Sequence, residues 1–396
     1  MTEISNQVAV PAKPATDFTR PYYCVFGIAF DHVRMADVLE RAGASLGQRH
    51  RLVVSTPNVN NIVAAQVDAG FRDSVGRCNL VVADGMPLVW VARMLGIKAR
   101  RIAGSDFFER LMHGEAGPLK VFFFGGPEGV AEKASTRLSL MSGAMKGAGG
   151  LYPGFGSVAE MAADHVAHNI NQSRPDFLIV ALGTAKGQAW IEQIQPRLHV
   201  PMISHLGAVV NFAAGTIRRA PWVLQASGME WMWRIWEEPT LWRRYYNDAK
   251  GLFKLLWSCT LPLVLRRLAS PLRRRGAAAH VVVEDIPGAC QLVLSGDWTD
   301  ADMQTLGQVL NQVTAQPQHI VIQAAGVTHI EQGIVALLIR LRGHQQACGR
   351  KFSLMGVSAD VARTLALHCA SYLVSAVEVP AGRSAPAVSG VNKETT

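Results

Sequence analysis

From Tyr22 to about Ile203 the chain alternates short apolar runs with amphipathic stretches. The runs are Tyr23–Ile28, Leu52–Ser55, Leu80–Ala83, Val121–Phe124, Phe177–Ala181 and Met202–Ser204. Each is short enough to be a buried strand. Segments such as Asn60–Ala69 and Val130–Met141 carry apolar residues at helical spacing. Strands separated by helices predict an α/β fold, a mostly parallel sheet with helices on both faces. Ligands of such sheets bind at the carboxyl ends of the strands. A helical, basic appendage is expected over 216–268. Ala269–Ala279 (ASPLRRRGAAA) reads as a linker of small residues, Pro, Gly and charge. Beyond it the pattern predicts a small α/β domain over 280–378, with strands at Val281–Glu284, Gln291–Ser295, His319–Gln323 and Lys351–Met355. Its helices are expected at Ala301–Ala315, Gln332–Ala347 and Ser358–Leu367. Residues 1–21 and 379–396 are expected to be loose tails, leaving 22–215 as the main domain.

Composition narrows the class. Of 396 residues, 49% are hydrophobic and 17% charged, which suits a folded chain and excludes disorder. The six cysteines are scattered without metal-ligand spacing and read as free thiols in a reducing cytosol. The first residues, MTEISNQVAVPAKPATDF, lack the apolar stretch of a signal peptide. Charge is concentrated: Ile217–Arg275 holds twelve Lys or Arg against four acids, in a chain whose net charge is +9. The same region is rich in Trp, a pairing that suits anionic headgroups above buried acyl chains. Leu252–Leu265 is too short to cross a bilayer, which takes about 20 apolar residues. Bounded by Arg266, Arg267 and Arg273–Arg275, it reads as a helix lying in the membrane interface. The alternative is a core helix with a solvated basic end.

Five loops follow predicted strands. In Ser55-Thr56-Pro57-Asn58-Val59-Asn60-Asn61, Thr56 and Asn58 are either ordinary helix caps or groups offered to a phosphate or sugar. In Val82-Ala83-Asp84-Gly85-Met86-Pro87, Asp84 is either a turn residue or a general base at the ligand edge. Arg101, in Arg100-Arg101-Ile102-Ala103-Gly104-Ser105-Asp106, is a surface arginine or a fork for diphosphate. Gly125 and Gly126 run from a strand toward a helix and let amides approach a phosphate. Leu182-Gly183-Thr184-Ala185-Lys186-Gly187-Gln188 is the fifth. No metal constellation or nucleophile elbow appears.

The ordered set TPNVNN, ADGMPLVW, RRIAGSDFF, FFFGGPEGVAEKA, LGTAKGQAWI and GAVVNFAAGTIRRAPWVLQASGMEWMWRIWEEP resembles the WecG/TagA/CpsF family of bacterial glycosyltransferases, over about Tyr23–Tyr246. The resemblance implies transfer of a sugar, of the N-acetylmannosamine type or a related hexose, from a UDP-sugar to a polyprenyl-diphosphate-linked sugar. It implies inverting chemistry without a metal or other cofactor, on the cytoplasmic face of the plasma membrane, in exopolysaccharide or capsule synthesis. Asp84 falls on the family's base, Thr56 and Asn58 on its active-site loop, and Arg101 on its R-[IV]-x-G-x-D motif. Gly125, Gly126 and Gln188 are the further expected substrate contacts. Arg234 and Arg244 match arginines of an appendage that closes over the site. The chain departs from the pattern at Gly187, where the family has Gln, at Gln188 in place of Glu, at Asn211 in place of Asp, and at Leu241 in place of Arg. Residues 280–375 resemble a STAS domain. Its switch loop, Ile330-Glu331-Gln332-Gly333, lacks the phosphorylated hydroxyl, so a kinase switch is not expected; a docking or dimerisation module for polysaccharide machinery is. The rival reading is a non-catalytic scaffold acting through that domain. Nucleic-acid binding would rest on charge alone.

Overall fold

The computed structural model describes residues 10–11, 16–141, 143–226, 228–269 and 276–374. The expected linker's centre (270–275) and the expected C-terminal tail lie outside the described residues.

The main sheet has six parallel strands in the order β4-β3-β8-β7-β5-β6. They are β3 (Leu52–Ser55), β4 (Leu80–Val81), β5 (Leu119–Gly125), β6 (Met145–Leu151), β7 (Phe177–Ala181) and β8 (Met202–His205). Apart from the edge strand β6, their side chains are nearly all buried, as a parallel sheet covered on both faces requires. The covering helices are α1 (Met35–Gln48), α2 (Val59–Val67), α3 (Ala69–Gly76), α4 (Met86–Met94), α5 (Gly104–Met112), α6 (Val130–Leu140), α7 (Val158–Met161), α8 (Asp164–Gln172), α9 (Thr184–Ile194) and α10 (Gly207–Ala214). Two cores result, one on each face. Phe122, Phe124, Leu178 and Trp190 lie in one, and Val121, Phe123, Phe177 and Ile179 in the other.

β6 was not expected. Its sequence, MKGAGGL, lacks β-branched residues, yet Gly150 and Gly147 sit where a Cβ would meet the backbone of α6. Glycine is required there by close helix packing, not by the strand.

The first apolar run is also corrected. Instead of one strand of the main sheet, it forms an antiparallel hairpin, β1 (Tyr22–Val25) and β2 (Ile28–Asp31), turning at Phe26 and Gly27, both with positive φ. Nor are residues 16–21 a loose tail. Phe18 is fully buried, its amide donates to Asn311 (2.9 Å), and Arg20 pairs with buried Asp31 at 2.7 Å.

The appendage comprises α11 (Trp222–Ala226), α12 (Glu230–Glu237), α13 (Trp242–Leu255), a π-helical turn (Leu256–Thr260) and α14 (Leu261–Ala269). The C-terminal domain has a mixed four-stranded sheet, β12-β11-β10-β9. Its elements are β9 (His280–Ile286), β10 (Ala289–Trp298), α15 (Met303–Thr314), β11 (His319–Ile330), α16 (Gln332–Ala347), β12 (Phe352–Met355) and α17 (Ala359–Leu367). α16, the helix behind the Glu331 loop, is buried almost all round. Arg342 grips Asp73 of α3 through two bonds (2.6 and 2.8 Å), and Arg340 donates to the carbonyls of Gly76 and Cys78.

Candidate active site at the carboxyl edge of the sheet

The sheet is extended toward one edge from β3 to β4 and toward the other from β5 to β6, with β8 and β7 between, and the loops after β3, β4, β7 and β8 line one crevice. A cavity of about 270 Å³ lies there. It is lined by Thr56, Asn58, Asp84, Gln188, His205, Asn211, Arg234, Glu237, Leu241, Arg244 and Tyr245, among others. Six of the residues singled out from sequence therefore meet: Thr56, Asn58, Asp84, Gln188, Arg234 and Arg244. A larger cleft of about 800 Å³ between the main domain, α14 and the C-terminal domain contains none of them.

Asp84 follows β4, and Gly85, at φ +101, lets the chain turn straight into α4. Its carboxylate accepts from the Gly104 amide at 3.4 Å. Burial is the largest influence on it and pushes its pKa up to about 6. Arg234 and Arg101 pull the other way, while Glu230 adds to the rise. Asp84 thus combines a base's exposure to the cavity with a pKa close to neutrality.

Asn58 caps α2: its side chain accepts from the Asn61 amide (3.3 Å), and Asn61 returns a bond to the Asn58 amide. The capping reading and the cavity-lining reading hold together. The rest of that loop reaches the appendage, because Asn60 donates to Asp248 of α13 (2.9 Å) and accepts from Thr184 (2.8 Å).

Three expected contacts lie off the cavity lining. Arg101 binds Asp106 (3.0 Å) and faces Glu230 at 3.5 Å, acting on Asp84 through its charge. A Cβ on Gly125 would stand 2.6 Å from the Ala181 carbonyl, and the Gly126 amide donates to that same oxygen at 2.7 Å. These glycines close the β5–β7 edge. Gln188 lines the cavity but is deeply buried, with its amide donating to Cys78 Sγ at 3.2 Å.

The appendage brings what the motifs did not single out. Glu230 sits between Arg101 and Arg234, 3.5 Å from each, and its Oε1 is buried without a hydrogen bond. The available signal was its i,i+4 spacing to Arg234. Burial works against Arg234's charge, but Tyr245, Glu230 and Asp84 outweigh it and hold the guanidinium's pKa above its ordinary value. Arg244 is about half exposed and faces Asp248 at 3.9 Å. His205 and Tyr245 were also not anticipated. Nothing in their spacing marks them, since each reaches the cavity only through the packing of its element.

The site thus places a carboxylate of raised pKa in the same cavity as two arginines. That arrangement can take a proton from an attacking hydroxyl and receive charge on a leaving anion.

Residues 23–266 match the model of the glycosyl transferase WecG/TagA/CpsF family, and residues 282–370 match that of the Mlab STAS domain. Curated relatives share the first region. The N-acetylglucosaminyldiphosphoundecaprenol N-acetyl-beta-D-mannosaminyltransferase of Bacillus subtilis (strain 168) is 28% identical over 215 residues, covering 53% of this chain and 81% of the relative. Proteins of the same name from Bacillus spizizenii (strain ATCC 23059 / NRRL B-14472 / W23) and Staphylococcus aureus (strain NCTC 8325 / PS 47) are 25% and 22% identical over 213 and 219 residues. They cover 53% of this chain in each case and 81% and 82% of the relatives.

Proposed function

The chain belongs to the WecG/TagA/CpsF family of glycosyl transferases, and we propose that it moves a hexose of the N-acetylmannosamine type from a UDP-sugar to a sugar carried on polyprenyl diphosphate. The observation that carries this reading is Asp84, a carboxylate with its pKa near 6 in the same cavity as Arg234 and Arg244. The acceptor hydroxyl gives its proton to Asp84 as its oxygen bonds to the anomeric carbon. The bond from that carbon to the UDP oxygen breaks on the opposite face, which inverts the configuration. Arg234 and Arg244 offset the charge that develops on the departing diphosphate. Thr56 and Asn58 lie beside Asp84 to orient the sugar hydroxyls. Glu230 keeps Arg234 and Arg101 in place and raises the basicity of Asp84.

The appendage supports action at a membrane surface. No helix among the described residues is long and apolar enough to cross a bilayer. Trp242, Tyr246, Phe253, Trp257, Leu261, Leu265 and Leu268 are all exposed and recur at helical spacing along α13, the π turn and α14. Arg243, Lys250, Lys254, Arg266 and Arg267 flank this stripe, the composition of a helix lying in an anionic interface. The STAS domain serves first within the chain, because α16 is packed against the hairpin and α3 rather than presented to a separate protein.

The test is UDP release with UDP-N-acetylmannosamine and a short polyprenyl-diphosphate-N-acetylglucosamine, with mass spectrometry of the lipid product. A product heavier by one N-acetylhexosamine is expected. Silence across a panel of UDP-hexoses, with intact fold, would leave the scaffold reading in its place.

A further inference from the structure

His205 ends β8, and Gly187, in the first turn of α9, packs directly against its ring. A Cβ built on Gly187 would stand 2.5 Å from both Cδ2 and Nε2 of His205. That separation is far inside van der Waals contact, so no side chain fits at 187 while the imidazole keeps its place. The two positions compete for one volume, and in this chain the ring has it. The space opened by the departure at Gly187 is filled from the end of β8, by a group of different chemistry.

That group has a defined polarity. His205 Nε2 lies 2.7 Å from the Leu182 carbonyl oxygen. A carbonyl only accepts, so Nε2 carries the proton. Burial lowers the affinity of the ring for a second proton. Nδ1 is then an acceptor with no donor beside it among the described residues, on a ring that lines the cavity together with Asp84, Asn58 and Asn211.

We propose that His205, its ring seated in the space that the absence of a side chain at Gly187 leaves, is a specificity-determining residue whose Nδ1 accepts a hydrogen bond from a hydroxyl or amide N–H of the sugar nucleotide. The proposal rests on reading this cavity as the nucleotide-sugar site. An acceptor that a bound ligand covers favours a ligand that brings a donor to it and disfavours one that leaves it unpaired.

The experiment compares wild type with His205→Phe, which keeps a ring but has no acceptor, and His205→Gln, which retains one. kcat/KM is measured for UDP-N-acetylmannosamine, UDP-N-acetylglucosamine and UDP-glucose, and the binding of each, and of UDP alone, is measured by calorimetry. For the preferred donor, His205→Phe is expected to lose about 10- to 100-fold in kcat/KM, with the ratios among donors flattened, and His205→Gln to recover part of the loss. Gly187→Ala, which displaces the ring, should reproduce the His205→Phe pattern. Unchanged UDP affinity assigns the contact to the sugar, and an equal loss for UDP assigns it to the nucleotide. Unaltered donor ratios and unaltered UDP affinity in folded His205→Phe overturn the proposal. If wild type binds the sugar nucleotides but turns none of them over, the transferase reading fails, while the binding comparison still decides the role of His205. If wild type binds none of them, both fail.

Discussion

Asp84 owes its properties to three neighbours and to the depth of its crevice. Burial and Glu230 favour its neutral form, and Arg234 and Arg101 favour the anion. A base works deprotonated, so kcat/KM should climb about tenfold per pH unit below pH 6 and level off above it. Glu230→Gln removes a charge that raises the pKa, and its pH–rate profile should shift to lower pH. Asp84→Asn should lower kcat by about 10²- to 10⁴-fold without unfolding the chain. Stability moves the other way. The folded pKa lies above the unfolded value of 3.8. The group's contribution is therefore fully present below pH 3.8 and lost as the pH rises through about 6. At pH 7 the Asn variant should melt a few degrees higher than wild type, with the difference shrinking as the pH approaches 4. Calorimetry across that range checks it. Asp84 was legible from its place after a buried strand. Glu230 was not, because its importance comes from what stands on either side of it in space.

At the scale of elements, the appendage both completes the cavity and exposes the apolar stripe. Its inner side packs on the core through Leu252, Leu255, Leu256 and Cys259, and Asn60 bonds Asp248 across the cleft. The two faces of one helical rod therefore serve different environments, the periodicity expected of an interfacial helix. Trp242→Ala with Trp257→Ala should weaken partition onto vesicles of anionic lipid at least several-fold in a sedimentation assay, while UDP binding stays unchanged. Wild-type partition by this double variant would return the stripe to the role of a plain solvated surface. Helices with clear apolar faces were readable, those expected at Ala301–Ala315 and Ser358–Leu367 among them. β6 was not, since its glycines answer to α6 rather than to the strand. The π turn at Leu256–Thr260 was likewise unreadable, because no local propensity distinguishes one extra residue in a helical turn.

Across the whole molecule, the hairpin joins the two domains. Tyr23, Val25, Ile28 and Phe30 enter the core of the transferase domain, while Tyr22, Cys24 and Ala29 enter that of the STAS domain. Alternation along a strand sends successive side chains to opposite faces, and here each face meets a different core. Asp73 adds to the junction. Burial works to raise its pKa, but bonds from Arg342 and Gln346 outweigh this and hold it below the ordinary value. Its contribution is present at neutral pH and lost as the pH falls through the carboxylate range. The two domains should melt as one transition in scanning calorimetry. Arg342→Ala, which leaves Asp73 without its bidentate partner, should cost about 1–3 kcal/mol at pH 7. Two transitions in wild type would show the domains to be independent.

The alternation of strands and helices apart from β6 and the hairpin, the mostly parallel sheet, the loops that hold Thr56, Asn58 and Asp84, and the family were set by the linear pattern. Burial periodicity and turn chemistry act over a few residues and are written locally. Tertiary packing decided the rest. It placed Glu230, Tyr245 and His205 at the cavity, turned Gln188 toward Cys78, and kept Arg101, Gly125 and Gly126 off its lining. It also inserted the hairpin between two cores. Each of these depends on contacts between residues far apart in the chain, where competition for one volume or one charge, not local preference, sets the outcome.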